Sequence, residues 1–168
     1  YQHSVYNLNY TNMVSQTFST NLPIGVWSFV AITRNPNNGL LSFYLNGSLK
    51  QSLPYTLQPG DNTSTMNFGA GINGDYQRFK GALDEIKIWD AIRTAAQVQE
   101  DMFCVPGGSE ANLKAYYGFE QGQPGGNNAS VINFTNAASA YPAAAVRNLD
   151  MTGATSNIVD GSKGSAIS

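Results

Sequence analysis

The chain is 168 residues long, enough for one domain with a real core. Its net charge of -2 argues against nucleic acid, which calls for a basic face. One cysteine, Cys104, excludes an intrachain disulfide framework, and one histidine, His3, excludes a His-based triad or a multi-His zinc site within the chain.

Charged residues make up only 12% of the chain, about half the usual share. Asn, Ser, Thr, Gln and Gly carry the polar load instead, a mix common in secreted or surface-exposed β-proteins. No run is long and apolar enough to cross a bilayer, and no signal peptide is recognisable. A start at Tyr1 rather than Met reads as a piece of a larger protein.

In chain order, "VWSFVAITR" alternates with apolar residues on both sides, which predicts a strand covered on two faces. "NPNNG" follows as a turn, with Pro36 and Gly39 as punctuation. In "LLSFYLNGSLKQSL", Leu41, Phe43 and Leu45 point one way and Ser42, Tyr44 and Asn46 the other. Asn46-Gly47 is a two-residue hairpin signal, because both residues tolerate positive φ. "STMNFGAG" reads as a further short strand. In "GALDEIKIW" the apolar phase slips between Leu83 and Ile86, so a bulge is expected near Asp84-Glu85.

"RTAAQVQEDMF" is the one helix in this pattern. Thr94 with Gln97 three residues on fits a capping box, and Ala95, Val98 and Met102 form an apolar stripe. "PGG" at 106–108 closes it. "NLKAYYGFEQG" returns to strand, with Leu113, Ala115, Tyr117 and Phe119 on one face. After Gly122 the periodicity fades. A long ordered loop or extended segment over the domain is expected, with a short strand at "AAAVRNL" and a disordered linker as the competing reading for 155–168.

Short alternating strands with one late helix indicate a β-sandwich. The motifs then carry a resemblance. Trp27, Val30 and Ala31; Tyr44, Asn46 and Gly47; Phe68 and Gly69; and "FKGALDEIKIW" from Phe79 to Trp89 occur in the order and spacing of the laminin-G/pentraxin-like branch of the concanavalin A-like lectin and glucanase superfamily. The resemblance is strongest over 24–120. It implies an all-β fold, a jelly-roll β-sandwich of two antiparallel sheets with one short helix. By the same resemblance the family's opening strands are missing here, so that either the chain starts mid-module or another segment supplies them. On this reading 1–122 is the sandwich and 123–168 an Asn/Gly/Ala-rich tail, packed on the domain or leading to a further module. Such tails accompany these modules in large bacterial surface proteins.

Asp84 and Glu85 raise the question of catalysis. Neighbours on a regular strand point to opposite faces, whereas a glycosidase pair must converge on one bond. The glucanase relatives carry an E-x-D-x-x-E pattern that "DEIKIWD" lacks. We therefore expect the two carboxylates to satisfy turn backbone or to pair with Arg78, Lys80 or Arg93, with a part in metal coordination as the alternative. The resemblance implies calcium at the sandwich rim, in the loop "GINGDYQRFKG". Asp75 and Asn73 are the candidate metal ligands, with Gln77 a further oxygen donor. For a glycan, Tyr76 is the candidate stacking ring, with Asn73 and Gln77 to bond hydroxyls; Tyr6, Tyr10, Tyr44 and Tyr55 are alternatives more suited to packing. Trp27 and Trp89 are assigned to the core, and Cys104 is expected as a small buried hydrophobe. Five N-x-S/T sequons, at Asn9, Asn46, Asn62, Asn128 and Asn133, are what an Asn-rich chain produces by chance.

The expected role is a non-catalytic recognition or adhesion module outside the cell or on its surface. Its partners would be glycans or surface or matrix proteins, and other modules of the same polypeptide, with no membrane insertion. The alternatives are an architectural repeat in a cell-surface stalk and an accessory module of a secreted hydrolase.

Overall fold

The computed structural model describes residues 2–6, 13–55, 66–70, 79–138, 140–147, 149–152, 158–159 and 161, with the backbone alone for 2–6 and 13–16. The chain divides into two compact units. One comprises Tyr1–Gly74, Ile92–Cys104 and Ala166–Ser168, the other Asp75–Ala91 and Val105–Ser165. The described strands pair antiparallel throughout, with one helix, as the sequence predicts for an all-β fold.

The first unit opens with a hairpin that the sequence reading did not anticipate. Strand β1, Gln2–Tyr6, pairs with β2, Met13–Thr17. Three strands follow in the order β3 (Val30–Asn35), β4 (Leu40–Leu45), β5 (Ser48–Pro54). Residues 27–29, expected in the strand, precede it without joining the ladder. Asn46 and Gly47 close the β4–β5 hairpin at φ 49° and 72°, the two positive values that match a turn to the twist of its strands. The Asn46 side chain also accepts the Phe29 N–H at 2.9 Å, fastening the hairpin tip to the entry of β3. Gly47 is doubly constrained, since a Cβ there would sit 3.1 Å from Gln99 Cγ.

Alternation on β4 puts Leu41, Phe43 and Leu45 on the core face. Leu41 and Phe43 pack with Phe18 and Tyr55, flanked by Val30, Ile32, Leu45 and Leu53. Phe18 and Phe43 stack at 5.1 Å. A register shift beside Phe43 and Tyr44 leaves Lys50 as the extra residue on β5, opposite neither.

Helix α1, Ala95–Phe103, starts with both halves of the expected capping box. Gln97 N–H reaches Thr94 Oγ1, and Thr94 N–H reaches Gln97 Oε1. Val98 is buried as expected, but Ala95 is exposed and Asp101 is buried in its place. Arg93 makes this tolerable by gripping both carboxylate oxygens of Asp101, at 2.9 and 2.8 Å.

In the second unit β6, Ile86–Trp89, pairs with β7, Leu113–Tyr117. The irregularity lies between Ile88 and Trp89 and not at Asp84-Glu85. Glu85 instead takes φ 56°, so the strand begins after it and Leu83 is left exposed. That resolves the phase slip without a bulge at that position. Leu113, Tyr116 and Ala138 form a second core cluster against Trp89; Trp27, also assigned to the core, is half-buried. Phe119 lies beyond β7 at φ 52°, edge-on to Phe134 at 4.9 Å. Two short strands, β8 (Asn133–Phe134) and β9 (Ala144–Ala145), pair within the tail, the latter inside the expected "AAAVRNL". Of the strand expected at 64–71, the described part, 66–70, is coil and bend, with Gly69 at φ 80°.

Candidate functional site

The adjacent carboxylates sit where the chain enters β6. Asp84 Oδ1 accepts the Glu85 N–H at 3.0 Å, a contact with turn backbone of the kind expected for it. Glu85 turns the other way. Its two carboxylate oxygens share the Tyr116 hydroxyl, which donates at 3.0 and 2.9 Å. Lys87 brings Nζ to 3.8 Å from Glu85 Oε2 and 5.9 Å from the Tyr116 ring centre, with its own side chain only 8% exposed.

Burial pushes the Tyr116 phenol well above its ordinary value of 10.0. The hydrogen bond to Glu85 and the charges of Glu85, Glu120 and Asp84 push the same way. Tyr116 thus keeps its proton and remains a donor at any physiological pH. This arrangement holds a left-handed residue in place. Of the cations expected as partners, Arg93 pairs with Asp101 and Arg78 lies outside the described residues. Tyr116 and Lys87 are among the partners of Glu85.

The loop that carries the ligand and metal candidates, with Asn73, Asp75, Tyr76 and Gln77, lies outside the described residues as well. Among the described residues no group of three or more His, Cys, Asp or Glu side chains is placed to hold a metal ion. Of the alternative tyrosines, Tyr44 and Tyr55 are 7% and 3% exposed, which makes them packing residues. Tyr6 is described by its backbone alone and Tyr10 is not described. Cys104 is exposed, contrary to expectation. It leaves the helix in an extended conformation at φ −91° and ψ 131°, between exposed Phe103 and Val105.

The tail holds two polar anchors that sequence reading passed over. Asn128 is 3% exposed. Its amide donates to the Gln123 and Gly126 carbonyls and its oxygen accepts the Gln123 N–H at 2.7 Å. An Asn with its side chain so engaged is closed to glycosylation in the folded chain. Asn136 links β7 to the tail. It accepts the N–H groups of Tyr116 and Ala138 and donates to the carbonyls of Lys114 and Tyr141. Tyr117 adds a hydroxyl donated to the Pro142 carbonyl at 2.9 Å. In a composition so rich in Asn, neither anchor carries a local signal that separates it from its neighbours.

The chain is similar to one protein family and to two solved structures. The family model described as the concanavalin A-like lectin/glucanases superfamily, of laminin-G type, matches residues 3–99, more than half of it. A solved structure of a candidate carbohydrate binding protein from Bacteroides ovatus is similar with a TM-score of 0.58 and 24% identity, over 79% of this chain and 37% of that one. The likeness speaks for the fold. An S-layer domain-containing protein from Clostridium thermocellum has a TM-score of 0.42 and 20% identity, over 54% of this chain and 45% of that one. The chain thus spans less than half the length of these solved proteins. No curated protein sequence matches it.

Proposed function

We propose that this chain, which belongs to the concanavalin A-like lectin/glucanases superfamily, is a non-catalytic carbohydrate-binding module that acts outside the cell or on its surface. Family membership with a jelly-roll β-sandwich fold is the observation that carries the reading. The match to a candidate carbohydrate binding protein supports it, as does the low charge of the chain, 12%. The absence of catalysis is supported by the engagement of Glu85 with Tyr116 and Lys87.

In this reading Asn73, Tyr76 and Gln77 contact the sugar, and Asp75 with Asn73 takes part in binding calcium. Calcium needs six to eight oxygen ligands, so backbone carbonyls or other side chains complete the set. A glycan array with and without EGTA tests both parts. Binding that EGTA abolishes supports the pair of proposals. Binding indifferent to EGTA, with no heat on calcium titration, removes the metal and keeps the lectin. A blank array under both conditions removes the carbohydrate reading.

A further inference from the structure

Tyr141 stands apart from the other tyrosines whose side chains are described. Tyr44, Tyr55, Tyr116 and Tyr117 are between 3% and 7% exposed, whereas Tyr141 is 47% exposed. Exposure alone is ordinary for one aromatic ring. What is unusual is how firmly the backbone beneath it is held. The Tyr141 carbonyl accepts the Asn136 amide at 2.8 Å, and the next carbonyl, of Pro142, accepts the hydroxyl of buried Tyr117 at 2.9 Å. Asn136 is itself tied to β7 through the Tyr116 N–H at 2.8 Å. The connection that carries Tyr141 is closed at its base by the β8–β9 pair, Phe134 opposite Ala144, and by the Val146 N–H bonded to the Ile132 carbonyl at 2.9 Å. Proline at 142 restricts the backbone further.

An open ring on a fixed backbone is a preorganised contact surface. Little backbone freedom remains to be lost when something settles on it. Its chemical character is also defined. From Gln121 to Val146 the chain carries no charged residue. A tyrosine offers an apolar face and a polar tip, which suits the C–H face and hydroxyl rim of a pyranose. A charged ligand would find no counter-charge in this segment.

We propose that Tyr141 is a stacking platform for one ring of an uncharged sugar. The proposal rests on the carbohydrate-binding reading above, but it places a contact on the β8–β9 connection, separate from the loop at 71–78. Asn136 and Tyr117 act as positioning residues for it.

The test is affinity electrophoresis of the full chain in gels containing β-glucan, xylan or galactomannan, with polygalacturonate as the acidic counterpart. At least one neutral polysaccharide should retard the protein. Tyr141→Ala should weaken that retardation about tenfold, the scale of one aromatic contact with its buried area, with an unchanged melting temperature. Tyr141→Phe, which keeps the ring, should lose less than Tyr141→Ala. Tyr117→Phe should weaken binding by loosening the platform while leaving its ring intact. Full retardation of Tyr141→Ala overturns the platform and leaves the carbohydrate reading standing. Retardation by polygalacturonate alone overturns the assignment of an uncharged ligand. No retardation in any gel, together with a blank glycan array, overturns both.

Discussion

Glu85 adopts φ 56°, in a region that non-glycine residues enter sparingly. Its carboxylate explains how the conformation is kept. Two oxygens share one phenolic proton, and a lysine stands 3.8 Å away. Hydrogen bonds to charged groups contribute about 1.5–3 kcal/mol when the partners are mostly out of water. Tyr116 is 5% exposed and the Glu85 side chain 18%. Tyr116→Phe should therefore lower the unfolding free energy by about 2 kcal/mol in urea titrations, with no change in the slope. A variant as stable as the parent would mean that water replaces the hydroxyl at no cost. The adjacency of two carboxylates was plain in the sequence, and so was a bond to turn backbone, but the Tyr116 contact of Glu85 was not. The decisive partner lies 31 residues away, and no local spacing points to it. For the same reason the burial of Asp101 against Arg93 went unforeseen, although both residues flank or belong to the predicted helix. An apolar-stripe count assigns a carboxylate to the solvent side unless its counter-ion is already known.

At the scale of elements, what could be read in advance was whatever a few neighbouring residues decide. The Asn46-Gly47 turn and the Thr94–Gln97 box are of this kind, and both formed as their chemistry requires. Thr94→Ala should cost about 1 kcal/mol, because it strips an acceptor from a free N–H of the first helical turn. Thermal unfolding of this variant beside Thr94→Ser checks it. Serine keeps the acceptor and should recover most of the loss; an alanine variant of parental stability would show that water caps this end equally well. Strand limits and irregularities were less legible. The phase slip before Ile86 has two solutions, a bulge within the strand or a strand that starts late. Only the long-range pairing of Ile86 with Tyr117 selects the second. The β1–β2 hairpin escaped notice because "QHSVY" and "MVSQT" mix polar and apolar residues without a strong alternation, so the pairing is set by partners rather than by either segment. Exposure of Cys104 has a similar origin: a small thiol after a helix is usually buried, and the extended exit of this helix carries it outward.

For the molecule as a whole, the family and the all-β class were legible because turns, caps and the "FKGALDEIKIW" stretch come in a fixed order. The loop at 71–78 proposed for ligand and metal was reached from its chemistry alone, oxygen donors with one aromatic ring, and it lies outside the described residues. The anchored Tyr141 depends on hydrogen bonds from Asn136 and Tyr117 that no sequence motif announces. Buried phenols also contribute to the stability of the chain against pH. Tyr55, Tyr116 and Tyr117 are all raised above 10.0, in each case first by burial. Unfolding returns them to the ordinary value, so the unfolded chain loses these protons at lower pH than the folded one does. Their contribution is complete below pH 10.0 and is lost as the pH climbs towards the folded values. Glu110 works in the opposite sense. Its own backbone N–H and those of Gly107 and Gly108 hold its carboxylate below the ordinary 4.5. Its contribution is present above pH 4.5 and fades as the pH falls through the folded value. Urea midpoints should therefore form a plateau between these limits, with a steep alkaline edge from three phenols and a shallow acid shoulder from one fully exposed carboxylate. Tyr116→Phe removes one of the three titrations, so the alkaline edge should become less steep even though the plateau drops. An edge of unaltered slope in that variant would assign the alkaline loss to other groups.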